Sequence, residues 1–212
     1  MKNLIANISL RKAAIVAGSA FIISFFLAIL VDNFILPNFI IPGGDTAVLA
    51  NDIIAKARLF NISVILYLII LTLDATIALA LYIVLRPASS TLASLTGILR
   101  LLYVAIMVIG VLALAFQLIN VDSYGTIKLI GYLFFIFHIF VLGYLVFKSG
   151  YIPRILGVLL LIASFSYVPA FYLNFPFPKA LLLIFMIFMI MGELSLSLWL
   201  LLKNAKLREM KS

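Results

Sequence analysis

Four ionisable side chains lie deep inside apolar runs of this chain: Asp74, Arg100, His138 and Glu193. A charge near the middle of a bilayer costs several kcal/mol unless it is paired or hydrated. Four of them in one small chain therefore need a shared explanation. Counting along the runs puts them at one depth. Asp74 is twelve residues before Arg86, His138 is ten before Lys148, Glu193 is ten before Lys203, and Arg100 is eleven after Ser89. At 1.5 Å per residue of untilted helix, all four fall roughly 15–18 Å from one surface, in a single layer.

Within that layer two carboxylates face one guanidinium and one imidazole. Arg100 keeps its charge almost anywhere, so it needs Asp74, Glu193 or both. If one carboxylate is taken, the other is left with His138 or a proton, and a shareable proton at that depth is what a relay requires. Helical spacing adds neighbours. Tyr67 and Ala78 fall near Asp74, Thr96 and Tyr103 near Arg100, and Ser197 near Glu193. Ser164 and Tyr167 share a face of the fifth run, and Met186 and Met189 lie on the Glu193 side as a deformable wall. The candidate ligand-binding or proton-relay set is thus Asp74, Arg100, His138, Glu193, Tyr103, Tyr167 and Ser197. The competing reading is structural, since buried ion pairs and polar contacts also tie membrane helices together. His138 with two carboxylates has no spacing that selects a metal, and neither a metal nor a cofactor is expected. Walker, G-x-S-x-G, H-E-x-x-H and dinucleotide motifs are all missing, so catalytic residues stay unassigned.

The elements that must position these groups follow from composition. The chain has 212 residues, 67% hydrophobic and 10% charged. A soluble fold of that size cannot hide so much apolar surface. Six apolar runs are long enough to cross about 30 Å of hydrocarbon as helices, at about 13–36, 59–85, 92–119, 127–147, 155–172 and 180–202. Continuous runs of this length argue against barrel strands, and Pro169 predicts a kink in the fifth. The reading is all-α: one integral membrane domain over 1–212, a six-helix bundle. The first run is too long for a signal-peptide core and lacks a cleavage site, so it reads as a retained helix.

The net charge is +8, and the basic residues sit at the ends of the runs, where they meet lipid headgroups. Nucleic acid is set aside, as no recognition motif is present. Ten Lys and Arg fall in the N-terminal segment, the second and fourth loops and the C-terminal tail, against four in the other loops. That bias predicts both termini in the cytoplasm of a prokaryotic cell membrane. The long first loop holds Pro37, Pro42 and Gly43-Gly44, then a short helix over about 46–56, capped by Asp45 or Thr46, with Asp52 and Lys56 one turn apart. It reads as a connector or as a lid. The chain has no cysteine, which excludes disulfides, thiolate metal sites and a cysteine nucleophile. Asn7-Ile8-Ser9 and Asn61-Ile62-Ser63 match a glycosylation pattern but fall in unsuitable places.

Four segments carry a resemblance. They are Asp74 to Tyr82 running on to Arg86-Pro87; Leu99-Arg100-Leu101; His138 through Lys148-Ser149-Gly150-Tyr151-Ile152-Pro153-Arg154 to Gly157; and Gly192-Glu193-Leu194-Ser195-Leu196 with Trp199. The chain resembles a family of prokaryotic integral membrane proteins known as domain of unknown function 4386, from the second helix onward. The resemblance implies a six-helix bundle and no activity, and it places all four buried residues in family-like segments.

Three functions remain open on the sequence. The first is a membrane protein that binds or transports a small polar or amphipathic ligand, or protons, through a midplane pocket. The second is an enzyme acting on a lipid or isoprenoid, with Glu193 and His138 as acid and base and a lateral opening to lipid. The third is a non-catalytic partner subunit whose polar layer is structural. Membrane lipids are expected partners, and an oligomer or partner subunit stays open.

Overall fold

The computed structural model describes residues 9–31, 57–172 and 177–203. Six helices account for the described residues: α1 Leu10–Leu30, α2 Ala57–Leu85, α3 Ser90–Ala115, α4 Val121–Lys148, α5 Arg154–Phe171 and α6 Lys179–Leu202. Each is long and apolar enough to cross a membrane. The short helix expected over 46–56, with its Asp52–Lys56 pair, lies outside the described residues.

Helix ends follow local chemistry more closely than hydropathy. Asn120 accepts a hydrogen bond from the Ser123 amide at 2.8 Å, which starts α4 six residues before the apolar run does. Before it, α3 stops at Ala115 rather than near 119, because the chain turns through Gln117 at φ 57°. Ser9 and Ser89 cap α1 and α3 through the Lys12 and Leu92 amides. Pro153 stands at the N-cap of α5. Pro169 lies inside α5, which ends two residues later.

The helices form a closed ring. Each packs against its neighbours in sequence, and α6 closes back onto α1. Close backbone approach draws the ring together. A Cβ on Gly157 would stand 2.6 Å from the Phe147 amide nitrogen and 2.7 Å from the Gly143 carbonyl oxygen, so only glycine lets α5 lie this near α4. At the closing seam, a Cβ on Gly18 would meet the Ser197 carbonyl oxygen of α6 at 2.7 Å. That contact belongs to one end of the bundle, near the start of α1 and the end of α6. Toward the other end the two helices are less covered: from Phe25 to Leu30 in α1 and from Lys179 to Met191 in α6 no residue is buried. The outer surface is apolar, with Phe165 and Ile109 each 65% exposed, as lipid-facing positions require. Thr72 and Thr76 return their hydroxyls to the Leu68 and Thr72 carbonyls, which satisfies them within α2.

The Ser149–Arg154 turn is fixed at both ends. Gly150 takes φ +78°, the left-handed conformation that closes a helix, and the Ser149 hydroxyl bonds the Val146 carbonyl at 2.8 Å. Arg154 lies over the Phe147 ring at 5.8 Å. The Tyr151 hydroxyl donates to the Val84 carbonyl oxygen at 2.7 Å, filling one of the acceptors that the end of α2 leaves without a helical partner. Burial pushes the Tyr151 phenol from 10.0 up to about 12. A phenol whose folded pKa is raised contributes its full stability below the unfolded value and loses it as the pH climbs through the folded one. We therefore expect Tyr151→Phe to lower stability by about 1 kcal/mol at neutral pH. Unfolding followed in detergent should also show wild type losing stability more steeply than the variant from pH 10.0 to about 12. Parallel alkaline profiles would contradict the role given to this hydroxyl.

Candidate functional site

The buried polar groups are assembled by α2, α3 and α4. Asp74, Arg100 and His138 are 5%, 2% and 0% exposed, and they touch. Arg100 Nη2 donates to Asp74 Oδ1 at 2.5 Å, the one ion pair among the described residues. Arg100 Nη1 lies 3.1 Å from His138 Nε2. On the far side of the ring, His138 Nδ1 is 2.8 Å from both the carbonyl oxygen and the hydroxyl of Thr96.

These contacts settle which nitrogen of His138 carries hydrogen. A carbonyl oxygen only accepts, so Nδ1 donates to Thr96; a guanidinium only donates, so Nε2 accepts from Arg100. The imidazole is therefore neutral in this arrangement, since a second N–H would point at an Arg100 N–H. The Thr96 hydroxyl in turn donates to the His138 carbonyl at 3.2 Å. Arg100 Nε has no hydrogen-bond partner among the described residues. The guanidinium instead lies between two aromatic faces, 4.7 Å from the Phe21 ring centre and 5.4 Å from that of Phe135.

Glu193 is handled separately. Its Oε1 accepts a hydrogen bond from the Tyr167 hydroxyl at 2.5 Å, and it forms no ion pair among the described residues. The structure thus joins Asp74, Arg100 and His138 in one network and Glu193 with Tyr167 in another. It does not bring Glu193 and His138 together as an acid–base pair, because both ring nitrogens of His138 are already engaged. Ser197 is buried with its hydroxyl returned to the Leu194 carbonyl at 2.9 Å, so that bond joins it to neither network. Ser164 likewise bonds within its own helix, to Leu161.

Both networks border one cavity of about 260 Å³, to which all six helices contribute. Asp74, Arg100 and Glu193 form its floor. From there it extends toward the end of the bundle where α1, α3 and α5 finish, past Tyr67, Tyr103 and Met189. His138 lies behind Arg100 and is not part of the lining. Helical spacing had pointed to Tyr67, Tyr103, Tyr167, Met186 and Met189. Phe21, Ser24, Tyr132, Phe135 and Phe171 join them from positions that carry no charge or motif to single them out. Tyr103, Phe135, Tyr167, Phe171 and Tyr132 form a continuous aromatic wall, with ring centres 4.5–6.1 Å apart from one to the next. Among the described residues no group of three His, Cys, Asp or Glu could hold a metal ion.

A ring of six membrane-crossing helices around a cavity floored by charge defines a multi-pass membrane protein. The chain belongs to the family described as domain of unknown function DUF4386, which it matches over residues 16–204. The match reaches back into α1, further than the four segments that first suggested it. An uncharacterized protein of Archaeoglobus fulgidus is 36% identical over 144 residues, covering 68% of this chain and 85% of that protein. No solved structure matches the chain.

The pairing yields a double-mutant test. Removing one member of a buried pair leaves the other uncompensated, at about 3–5 kcal/mol. Arg100→Leu should destabilise the bundle by that order, and adding Asp74→Asn should recover part of the loss. Glu193→Gln in the same background should recover little. Thermal unfolding of the purified single and double variants reads the coupling directly; additivity of Arg100→Leu with Asp74→Asn would refute the pair.

Proposed function

We propose that this protein binds a small amphipathic molecule inside the membrane and serves as a binding or transport protein for it. The observation that carries this reading is the cavity of about 260 Å³ within the helix ring, with the carboxyl group of Glu193 on its floor outside any ion pair among the described residues. A bundle held together only by buried polar contacts has no need of such a space. Its volume is just below the ~300–1,000 Å³ common for ligand pockets, which suits a small molecule. The mixture of aromatic wall, thioether side chains and a few polar groups suits one with an apolar body and a polar head. In this reading Asp74, Arg100 and His138 are the rigid base of the site, while Glu193, Tyr167 and Tyr103 face the ligand.

Both termini are placed on the cytoplasmic face of a prokaryotic cell membrane, supported by the ten-to-four distribution of Lys and Arg. The cavity then extends toward the outer face. Reporter fusions after Ser212 should behave as cytoplasmic and fusions near Gly44 as external; an external C-terminus overturns this orientation.

Occupancy is tested by what the protein retains. Met189→Trp fills the cavity with an indole. Mass spectrometry of small molecules released from purified wild type should detect a compound that Met189→Trp has lost by at least tenfold. Identical profiles from the two proteins would remove the support for a ligand site.

A further inference from the structure

We infer that the ligand is an organic cation, an ammonium carried on a small apolar frame, with Glu193 as its counter-ion. The inference rests on the reading of the cavity as a binding site and names the class of molecule that site selects.

The argument begins with the charges. Asp74 and Arg100 cancel across their 2.5 Å contact. His138 uses Nε2 as an acceptor from Arg100 and Nδ1 as a donor to Thr96, so it adds no charge. What remains at the cavity floor is the carboxyl group of Glu193, which has no ion-pair partner among the described residues. Tyr167 satisfies one of its oxygens with a neutral donor, and the second oxygen has no hydrogen-bond partner among the described residues. A carboxylate at this depth needs a cation or a proton, and no Lys or Arg among the described residues forms an ion pair with it.

The walls specify what kind of cation. Tyr167, the hydrogen-bond donor to Glu193, also belongs to the aromatic wall, 5.5 Å from Phe135 and 5.9 Å from Phe171 between ring centres. Aromatic faces attract a cation through the ring quadrupole, most strongly when it is poorly hydrated. An alkylammonium meets that condition, and its apolar remainder can lie against the aliphatic side of the cavity at Ile29, Met186 and Ile190. A bare metal ion would need several oxygen or nitrogen ligands, and the described residues contain no such group. An anion would meet Arg100 already paired with Asp74.

The test uses two probes of one shape: benzyltrimethylammonium, and neopentylbenzene, in which carbon replaces the charged nitrogen. Binding of each to purified full-length protein in lipid nanodiscs is measured by equilibrium dialysis. We expect wild type to bind the cation at least tenfold more tightly than the neutral isostere. Glu193→Gln should weaken the cation at least tenfold and leave neopentylbenzene unchanged, while Glu193→Asp should retain part of the preference. The unchanged isostere affinity also reports that Glu193→Gln still folds around its cavity. If the isostere binds as tightly as the cation, or if Glu193→Gln leaves the cation's affinity intact, the cationic class is wrong while the cavity still binds ligands. If neither probe binds wild type, both this inference and the proposal beneath it fall.

Discussion

The guanidinium of Arg100 is the constraint around which the bundle is arranged. It cannot shed its charge, and it sits 2% exposed in the middle of a helix built to cross a membrane. Everything in contact with it serves that charge. Asp74 cancels it, His138 is held in the tautomer that accepts from it, and Thr96 holds His138 there. Phe21 and Phe135 turn their faces to the remainder. The residues come from four helices, so satisfying one side chain fixes the rotation of α1, α2, α3 and α4 relative to one another. In a bilayer this matters more than in water, because apolar helices gain little from burying apolar surface against each other when lipid is equally apolar.

The ring and the cavity share a cause. Small residues let the helices close at one end, where Gly18 meets α6 and Gly157 meets α4. Large aromatic residues from α3, α4 and α5 fill the other side of the charged floor. Helices drawn together by glycine at one level and held apart by rings at the next must enclose space between them. On the α1–α6 side Phe21 and Phe25 line the cavity from α1, and Met186 of α6 lines it while remaining 48% exposed.

Much of this was legible in the sequence, for identifiable reasons. The six helices follow from run length, which the thickness of hydrocarbon sets. The contact of Arg100 with a carboxylate follows from the cost of leaving it alone, but which carboxylate does not, since Asp74 and Glu193 stand at the same counted depth. Rotation about the helix axis decided it, and the apolar runs have no polar face to reveal rotation. The same ambiguity placed His138 beside Glu193 and Ser197 in the site. In the structure His138 faces α3, and Ser197 returns its hydroxyl to its own helix. The early start of α4 was hidden because Asp122, Ser123 and Thr126 read as loop by polarity, although Asn120 is a good cap for them. The aromatic wall was invisible in principle, because a phenylalanine facing a cavity and one facing lipid are the same letter.

The adjacency of Asp74 and Arg100 in chain order has a consequence for how the protein is made. An arginine at the centre of a single helix entering a membrane costs roughly 2.5–3.5 kcal/mol on insertion scales. Here α2 leaves the ribosome before α3, and the two are joined by only the residues between Leu85 and Ser90. They can pass into lipid as one hairpin, with the acid already in place when the base arrives. His138 follows one helix later. Glu193 comes last, on the helix that shuts the ring against α1. Chain order therefore supplies the paired core before the helix that brings Glu193 and closes the ring.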